Sequence, residues 1–175
     1  MTLRSTLRVP WMLLPLVLCT ARCEAKLLTF ASQKQHLSIV VDAPMGWKGP
    51  AYSGGTRSYE SWSFSKGTDP KGSNIEIRVD PVRDSKLDWN TATKEQIKKT
   101  FNDFSNPEVE MIAKIMIDQT PVVVWAAHNV DGELLIAKVR RDGCDLNFSL
   151  RTNNREELRR YQKSFLDLVK SVRFK

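Results

Sequence analysis

Residues 109–151 decide the fold of this chain and read VEMIAKIMIDQTPVVVWAAHNVDGELLIAKVRRDGCDLNFSLR. Four runs rich in β-branched and other apolar residues are separated by short joints at 119–121, 131–132 and 142–143. An Asp-Gly pair between such runs is typical of a tight hairpin, because both central residues of the turn need positive φ. The stretch therefore predicts four consecutive antiparallel strands.

The first two of these strands are apolar on both faces. In the second, Val122 and Val124 alternate with Val123 and Trp125. A strand that is apolar on both sides is covered on both sides, so we expect layers above and below the centre of the sheet. The fourth strand alternates apolar with polar residues and is expected nearer an edge or against a solvated face.

The rest of the chain adds strands before this meander and a helix on each side of it. Alternation and apolar runs predict strands at 37–41, 59–66 and 75–79, and a strand or ordered arm at 26–36. Helical spacing predicts helices over 91–104, with a Thr93-Gln96 capping box, and over 155–172, capped by Asn153 or Asn154. Glycine-rich residues 48–57 are expected to form an exposed loop. The pattern indicates an α+β domain.

The first 25 residues have the pattern of an export signal. Arg4 and Arg8 precede an apolar run at 11–19, and Ala25 closes an approximate small-x-small cleavage site. The apolar run is too short to span a bilayer. We therefore predict a signal peptide over 1–25, a single domain over 26–175 and a periplasmic location.

A lipoprotein anchored through Cys19 is the alternative. Leu16-Val17 matches the start of a bacterial lipobox, and membrane contact is expected only if Cys19 is lipidated. Against this, Leu18 is not the small residue that such a motif needs before its cysteine.

Charge and cysteine content limit the partners of the exported chain. The formal net charge is +7, and +5 remains without residues 1–25, which hold three arginines and one glutamate. The basic residues are interleaved with acids, so nucleic-acid binding is not expected. Cys144 alone remains after cleavage, which excludes an internal disulfide, and strand alternation places it on an apolar, buried face.

Catalytic motifs are absent from the sequence. His36 and His128 are the only histidines and lie 92 residues apart, which excludes a three-histidine zinc site. No nucleophile elbow, phosphate loop or dinucleotide fingerprint occurs. We therefore predict a protein that is not an enzyme and carries no cofactor or metal. The alternative is a small hydrolase or ligand-binding enzyme that uses His128, near the sheet rim, with a carboxylate that the sequence does not reveal.

Five residues are the candidates for a binding surface. Trp47 and Trp89 lie in connections, where a large aromatic residue either folds back over the core or is presented to a partner. We expect both to cover the core. If the protein has a binding surface, we expect it at these tryptophans, at Gly54 and Gly55 of the glycine-rich segment, and at His128.

The order of elements resembles a known group of proteins. A strand ending in Pro44-Met45-Gly46-Trp47, two further strands, a helix, a four-strand meander and a last helix closing with FLDLVKSVRF at 165–174 are similar to the PsbP-like superfamily. The resemblance implies a three-layer α/β/α sandwich with a central antiparallel sheet, in the order β-β-β-α-β-β-β-β-α. It also implies a binding or assembly role without catalysis, and no functional residue carries over.

The functional hypothesis is accordingly an exported, non-enzymatic binding or accessory protein, expected to be a monomer, that docks a protein partner. A narrower form of it is a periplasmic immunity protein that blocks a secreted toxin. If the source is eukaryotic instead, Asn147-Phe148-Ser149 is a glycosylation sequon on the outward face of its strand.

Overall fold

The computed structural model describes residues 26–54, 58–67, 72–82, 87–101, 106–130 and 132–175. The predicted signal peptide, including Cys19, lies outside these residues, as does Gly55. Among the helices in these ranges, none is long and apolar enough to cross a membrane.

The described ranges form ten strands and two helices. In chain order they are β1 (Leu27–Ser32), β2 (Leu37–Asp42), β3 (Lys48–Ser53), β4 (Glu60–Ser65), β5 (Asn74–Pro81), α1 (Lys94–Lys98), β6 (Glu108–Ile117), β7 (Thr120–Asn129), β8 (Gly132–Arg141), β9 (Cys144–Thr152), α2 (Arg155–Ser171) and β10 (Arg173–Phe174). A three-stranded sheet has the order β1-β2-β10, and a seven-stranded sheet has the order β3-β4-β5-β9-β8-β7-β6. Their strand pairs are antiparallel, which confirms the α+β class and the antiparallel sheet.

The predicted meander is present as β6 to β9. At the last hairpin Asp142 and Gly143 have φ of 48° and 76°, so both central residues adopt the left-handed conformation that the Asp-Gly pair predicts. The first hairpin differs from the prediction of a joint at 119–121. Its turn is formed by Asp118 and Gln119, both with positive φ, and β7 begins at Thr120.

Of the two alternatives predicted for the fourth meander strand, an edge position or a solvated face, the structure shows the solvated face. β9 lies between β5 and β8 near the middle of the seven-stranded sheet, with Ile77 of β5 opposite Phe148. The alternation of β9 therefore reflects one solvated face of a central strand.

One face of the large sheet is covered by α2 and the three-stranded sheet. α2 packs against β2, β6, β8 and β9, and Leu158, Phe165 and Leu168 are buried along it. Each such side chain contributes about 1.5–3 kcal/mol on burial. The helix begins as predicted, because the Asn154 side chain accepts a hydrogen bond from the Glu157 amide at 2.9 Å.

The opposite face carries a second, smaller core beneath residues 87–101. Ile97 and Phe101 pack there with Val123 and Trp125 of β7. The capping box at Thr93 is present, but α1 is shorter than the predicted 91–104 helix, whose last residues fall outside the described ranges. Because α1 has only five residues, a three-layer sandwich remains a prediction.

Two edge strands differ from expectation. Residues 48–53, predicted as loop, form β3, which pairs with β4 at the edge of the sheet, because strand pairing can override weak local propensity. At the other edge, β6 has a register shift between Met111 and Ala113. Met111 and Met116 are more than half exposed, so β6 is not covered on both faces as predicted.

Candidate functional site

The face of the seven-stranded sheet opposite α2 is polar over β4, β5 and β9. We call this surface the open face. Most of its side chains are half-buried or exposed, whereas the alternate residues of the same strands belong to the main core. It is formed by Ser61, Ser63, Ser65, Glu76, Arg78, Asp80, Asp145, Asn147, Ser149 and Arg151.

Asp145 is a deeply buried charge on this face, with 4% of the residue exposed. Its carboxylate accepts hydrogen bonds from Arg140 Nε at 2.9 Å and Nη2 at 3.3 Å, and Lys138 Nζ lies 3.1 Å from Oδ2. Burial opposes ionisation, but the two cations outweigh it and hold the pKa of Asp145 below its ordinary value. The same hydrogen bonds raise the pKa of Arg140. The cluster is therefore a fixed, ionised unit.

Arg78 is fixed from two sides. Its Nε donates to Asp80 Oδ2 at 2.8 Å, and its guanidinium carbon lies 4.8 Å from the centre of the Tyr59 ring. Asn147 Nδ2 donates to the same Asp80 oxygen at 2.7 Å. A guanidinium held in this way presents its Nη donors with little further loss of side-chain entropy.

Trp89 stands at the boundary between the open face and the second core. Its carbonyl accepts a hydrogen bond from Trp125 Nε1 at 3.1 Å, and its ring packs edge-on against Phe101 at 5.9 Å. Lys138 Nζ lies 5.5 Å from its ring centre. The next residue, Asn90, accepts from the Val123 amide at 2.9 Å. Trp89 thus covers the core, as expected, and also forms a wall beside the polar strands.

Two cavities meet at this wall, with volumes of about 240 and 290 Å³, and both are lined by Trp89 and Lys138. We call them together the Trp89 cleft. The smaller cavity includes the Asp145 cluster. The larger one extends over β5 and β9 to Arg78 and Arg151, with Phe101 among its apolar lining residues. The cleft therefore combines an aromatic wall with a charged floor.

Trp47 lies elsewhere, on the α2 side of the molecule. Its ring packs edge-on against Tyr161 of α2 at 5.2 Å, and Lys66 Nζ lies 5.9 Å from its centre. It contacts the main core and is half-buried. It covers the core, as expected, and is not part of the Trp89 cleft.

Gly54 is a packing position at the end of β3. A Cβ there would collide with the Tyr52 hydroxyl, which donates to Glu60 at 2.8 Å. Glu60 also accepts from the Ser32 hydroxyl. Burial opposes its ionisation, but these hydrogen bonds keep its pKa below the ordinary value. Gly55 lies outside the described residues.

His128 is at the end of β7 as predicted, but it is buried, with 6% exposed. Nδ1 is in hydrogen-bond contact with Glu133, and Nε2 lies 3.0 Å from Glu110 Oε1. Each ring nitrogen thus already has a carboxylate partner, and neither part of the Trp89 cleft includes His128. No group of three or more metal-ligating side chains occurs among the described residues.

Of the four predicted site residues that the structure describes, Trp89 alone lies at the cleft. Arg78, Lys138 and Asp145 were not among the candidates. The alternation of β5 and β9 already separated their polar faces, but β5 and β9 are far apart in the sequence. Only their pairing reveals that these faces join.

The comparisons with known proteins bear on the fold. A scan against protein-family models and a search of curated proteins each find no match for the chain. Among solved structures, that of cyanobacterial PsbP (CyanoP) from Synechocystis sp. PCC 6803 matches with a TM-score of 0.54 and 18% sequence identity, over 92% of this chain and 99% of that chain. The chain has a PsbP-like fold. The predicted resemblance is confirmed at this level, and a likeness at 18% identity shows the PsbP-like fold alone.

Proposed function

We propose that the protein is an exported, non-enzymatic binding or accessory protein that docks a protein partner through the open face, at the Trp89 cleft. The observation that carries this proposal is that the Trp89 ring lies beside Arg78 and Arg140, two arginines held in place by ion pairs on the polar face of the seven-stranded sheet. Tryptophan and arginine are among the residue types that contribute most to protein interfaces.

The composition of the cleft supports binding over catalysis. No histidine or cysteine lines either cavity among the described residues. Both oxygens of its buried carboxylate, Asp145, already contact Arg140 or Lys138, so this group is part of a structural ion pair. The PsbP-like fold, through the resemblance drawn from the sequence, adds the expectation of a non-catalytic role.

The hydrolase alternative centred on His128 gains no support. A general base needs a ring nitrogen that is free to accept a proton from substrate or water. In the structure Glu133 and Glu110 flank both nitrogens of a buried ring.

Export through the signal peptide at 1–25, a periplasmic location and a monomeric state belong to the same proposal. So does the three-layer α/β/α arrangement, in which residues 87–101 would be the second outer layer. That layer lies over β6 to β8, which would leave the open face for a partner. The immunity-protein hypothesis is the version in which this partner is a toxin.

Site-specific photocrosslinking in the native envelope tests the docking surface. A photoreactive residue at Ser63, on the open face, is expected to capture one protein at near-stoichiometric yield. The same residue at Lys163, on the outer side of α2 with 85% of its side chain exposed, is the matched control and is expected to capture none. Equal adducts at both positions, or adducts only at Lys163, would contradict docking through the open face.

A further inference from the structure

We infer that the Trp89 cleft accepts an acidic side chain of the partner, an aspartate or glutamate that is followed or preceded by an apolar residue. Arg78 is the anchor for the carboxylate, and Trp89 is the wall for the apolar neighbour. This inference rests on the proposed docking function and names the chemistry of the partner.

The charge of the larger cavity favours an anion. Arg78, Lys138 and Arg151 line it, whereas Glu76 is the carboxylate among its lining residues. A cleft lined mainly by one sign of charge concentrates groups of the opposite sign. An acidic partner segment is therefore favoured over a basic one.

Strand register places two of these cations in one row. Arg78 of β5 and Lys138 of β8 are both directly opposite Asn147 of β9. Two strand spacings separate their backbones, which is roughly 10 Å. Long cationic side chains that start this far apart on one face leave room for a carboxylate between them.

The existing ion pairs determine which donors remain for a ligand. Asp80 occupies Arg78 Nε, and no described residue bonds to the two Nη nitrogens. Asp145 is already satisfied by Arg140 through two hydrogen bonds, in addition to Lys138. The Nη pair of an arginine binds the two oxygens of a carboxylate in parallel, a geometry that lysine does not provide.

The apolar side of the cleft and its size indicate a peptide rather than a metabolite. Trp89, Phe101, Leu134 and Ile136 line the larger cavity beside the cations. Its volume of about 290 Å³ is at the lower bound of the roughly 300–1,000 Å³ typical of small-molecule pockets. Such a space suits one acidic side chain and one apolar neighbour from a partner's surface.

Peptide titration tests this inference with the purified exported protein. The probes are acetyl-Ser-Phe-Glu-Leu-Ser-amide and the same peptide with glutamine in place of glutamate, followed by NMR through the indole N–H of Trp89 and the Nε–H of Arg78. The glutamate peptide is expected to bind about 10- to 100-fold more tightly, as for loss of a charge-assisted hydrogen bond. Its affinity should fall with added salt.

Variants of the anchor sharpen the test. Arg78→Gln keeps a donor for Asp80 and is expected to remove the preference for the glutamate peptide. Arg78→Lys keeps the charge but lacks the paired Nη donors, so it should retain only part of that preference. Arg159→Gln, on an exposed position of α2, is the matched control and should leave the preference unchanged.

Two results would overturn the inference. Equal binding of the two peptides would remove the carboxylate from the recognition, while crosslinking at Ser63 would still support docking through the open face. Binding of 3-phenylpropionate as tightly as the glutamate peptide would identify a small-molecule acid site instead. Absence of any partner at Ser63, with the peptide preference intact, would instead contradict the proposed docking function.

Discussion

Replacing Asp145 by asparagine tests whether the ion-pair cluster beneath the Trp89 cleft stabilises the fold. The substitution removes the charge and keeps the size of the side chain. In the native protein the carboxylate has three contacts of 2.9, 3.1 and 3.3 Å to Arg140 and Lys138. In Asp145→Asn the two cations remain side by side on β8 without their shared counter-charge.

The expected loss is about 2–3 kcal/mol in the free energy of unfolding. Removal of one partner from a fully buried ion pair costs about 3–5 kcal/mol. That figure must be reduced here, because the side chain of Arg140 is 46% exposed and can turn toward water. Lys138, with 19% of its side chain exposed, has less freedom to do so.

Urea denaturation of both proteins between pH 3 and pH 7 measures this loss and its pH dependence. The pKa of Asp145 is lower in the folded protein than its ordinary value. Its contribution is therefore fully present above the unfolded pKa of about 3.9 and is lost as the pH falls through the folded pKa. The difference between the proteins should therefore narrow from pH 7 to pH 3.

Asp142→Asn is the matched control. Asp142 occupies the adjacent hairpin turn, its side chain is 72% exposed, and its pairing with Arg141 at 3.6 Å is a surface contact. Asparagine tolerates the positive φ of this position, so the loss should be below about 0.5 kcal/mol. An equal loss in the two variants, or a constant difference across the pH range, would refute the assignment of Asp145 as a stabilising buried charge.

Two further predictions concern buried groups away from the cleft. His128→Ala is expected to lower the free energy of unfolding, measured in urea, by about 2–4 kcal/mol, because Glu133 loses its buried partner. Glu110→Gln should lower it by less than about 1 kcal/mol, because the side chain of Glu110 is 57% exposed. A larger loss in Glu110→Gln than in His128→Ala would contradict this geometry. Burial raises the pKa of the Cys144 thiol, and the nearby Asp142 and Asp145 raise it further. A disulfide reagent at pH 8 should therefore label this thiol at least about 100-fold more slowly in the native protein than in urea. Equal labelling rates would show that the thiol is accessible in the native protein.

The features that the sequence predicted correctly are those decided by near neighbours in the chain. The Asp142–Gly143 turn, the capping box at Thr93 and the Asn154 cap each depend on groups within a few residues of one another. The carboxylate beside His128 was predictable in the same way, since the hairpin that pairs Asn129 with Gly132 places Glu133 opposite the histidine.

The open face could not be predicted because it depends on a pairing between distant segments. Arg78 and Asn147 are opposite each other only because β5 inserts beside β9, and neither strand specifies that partner locally. Without this pairing, Lys138 also has no visible relation to Arg78. Residues 48–53 are a related case, since their strand conformation depends on pairing with β4.

The charges on β5, β9 and β8 are difficult to explain by stability alone. Asp145 and Asp80 are matched by neighbouring cations, so these two carboxylates are accounted for within the fold. Arg78 is held by Asp80 and Tyr59, and among the described residues none bonds to its two Nη donors. An arginine held in place beside an aromatic wall suits a docking surface, because its side-chain entropy is lost when the protein folds and not when the partner binds.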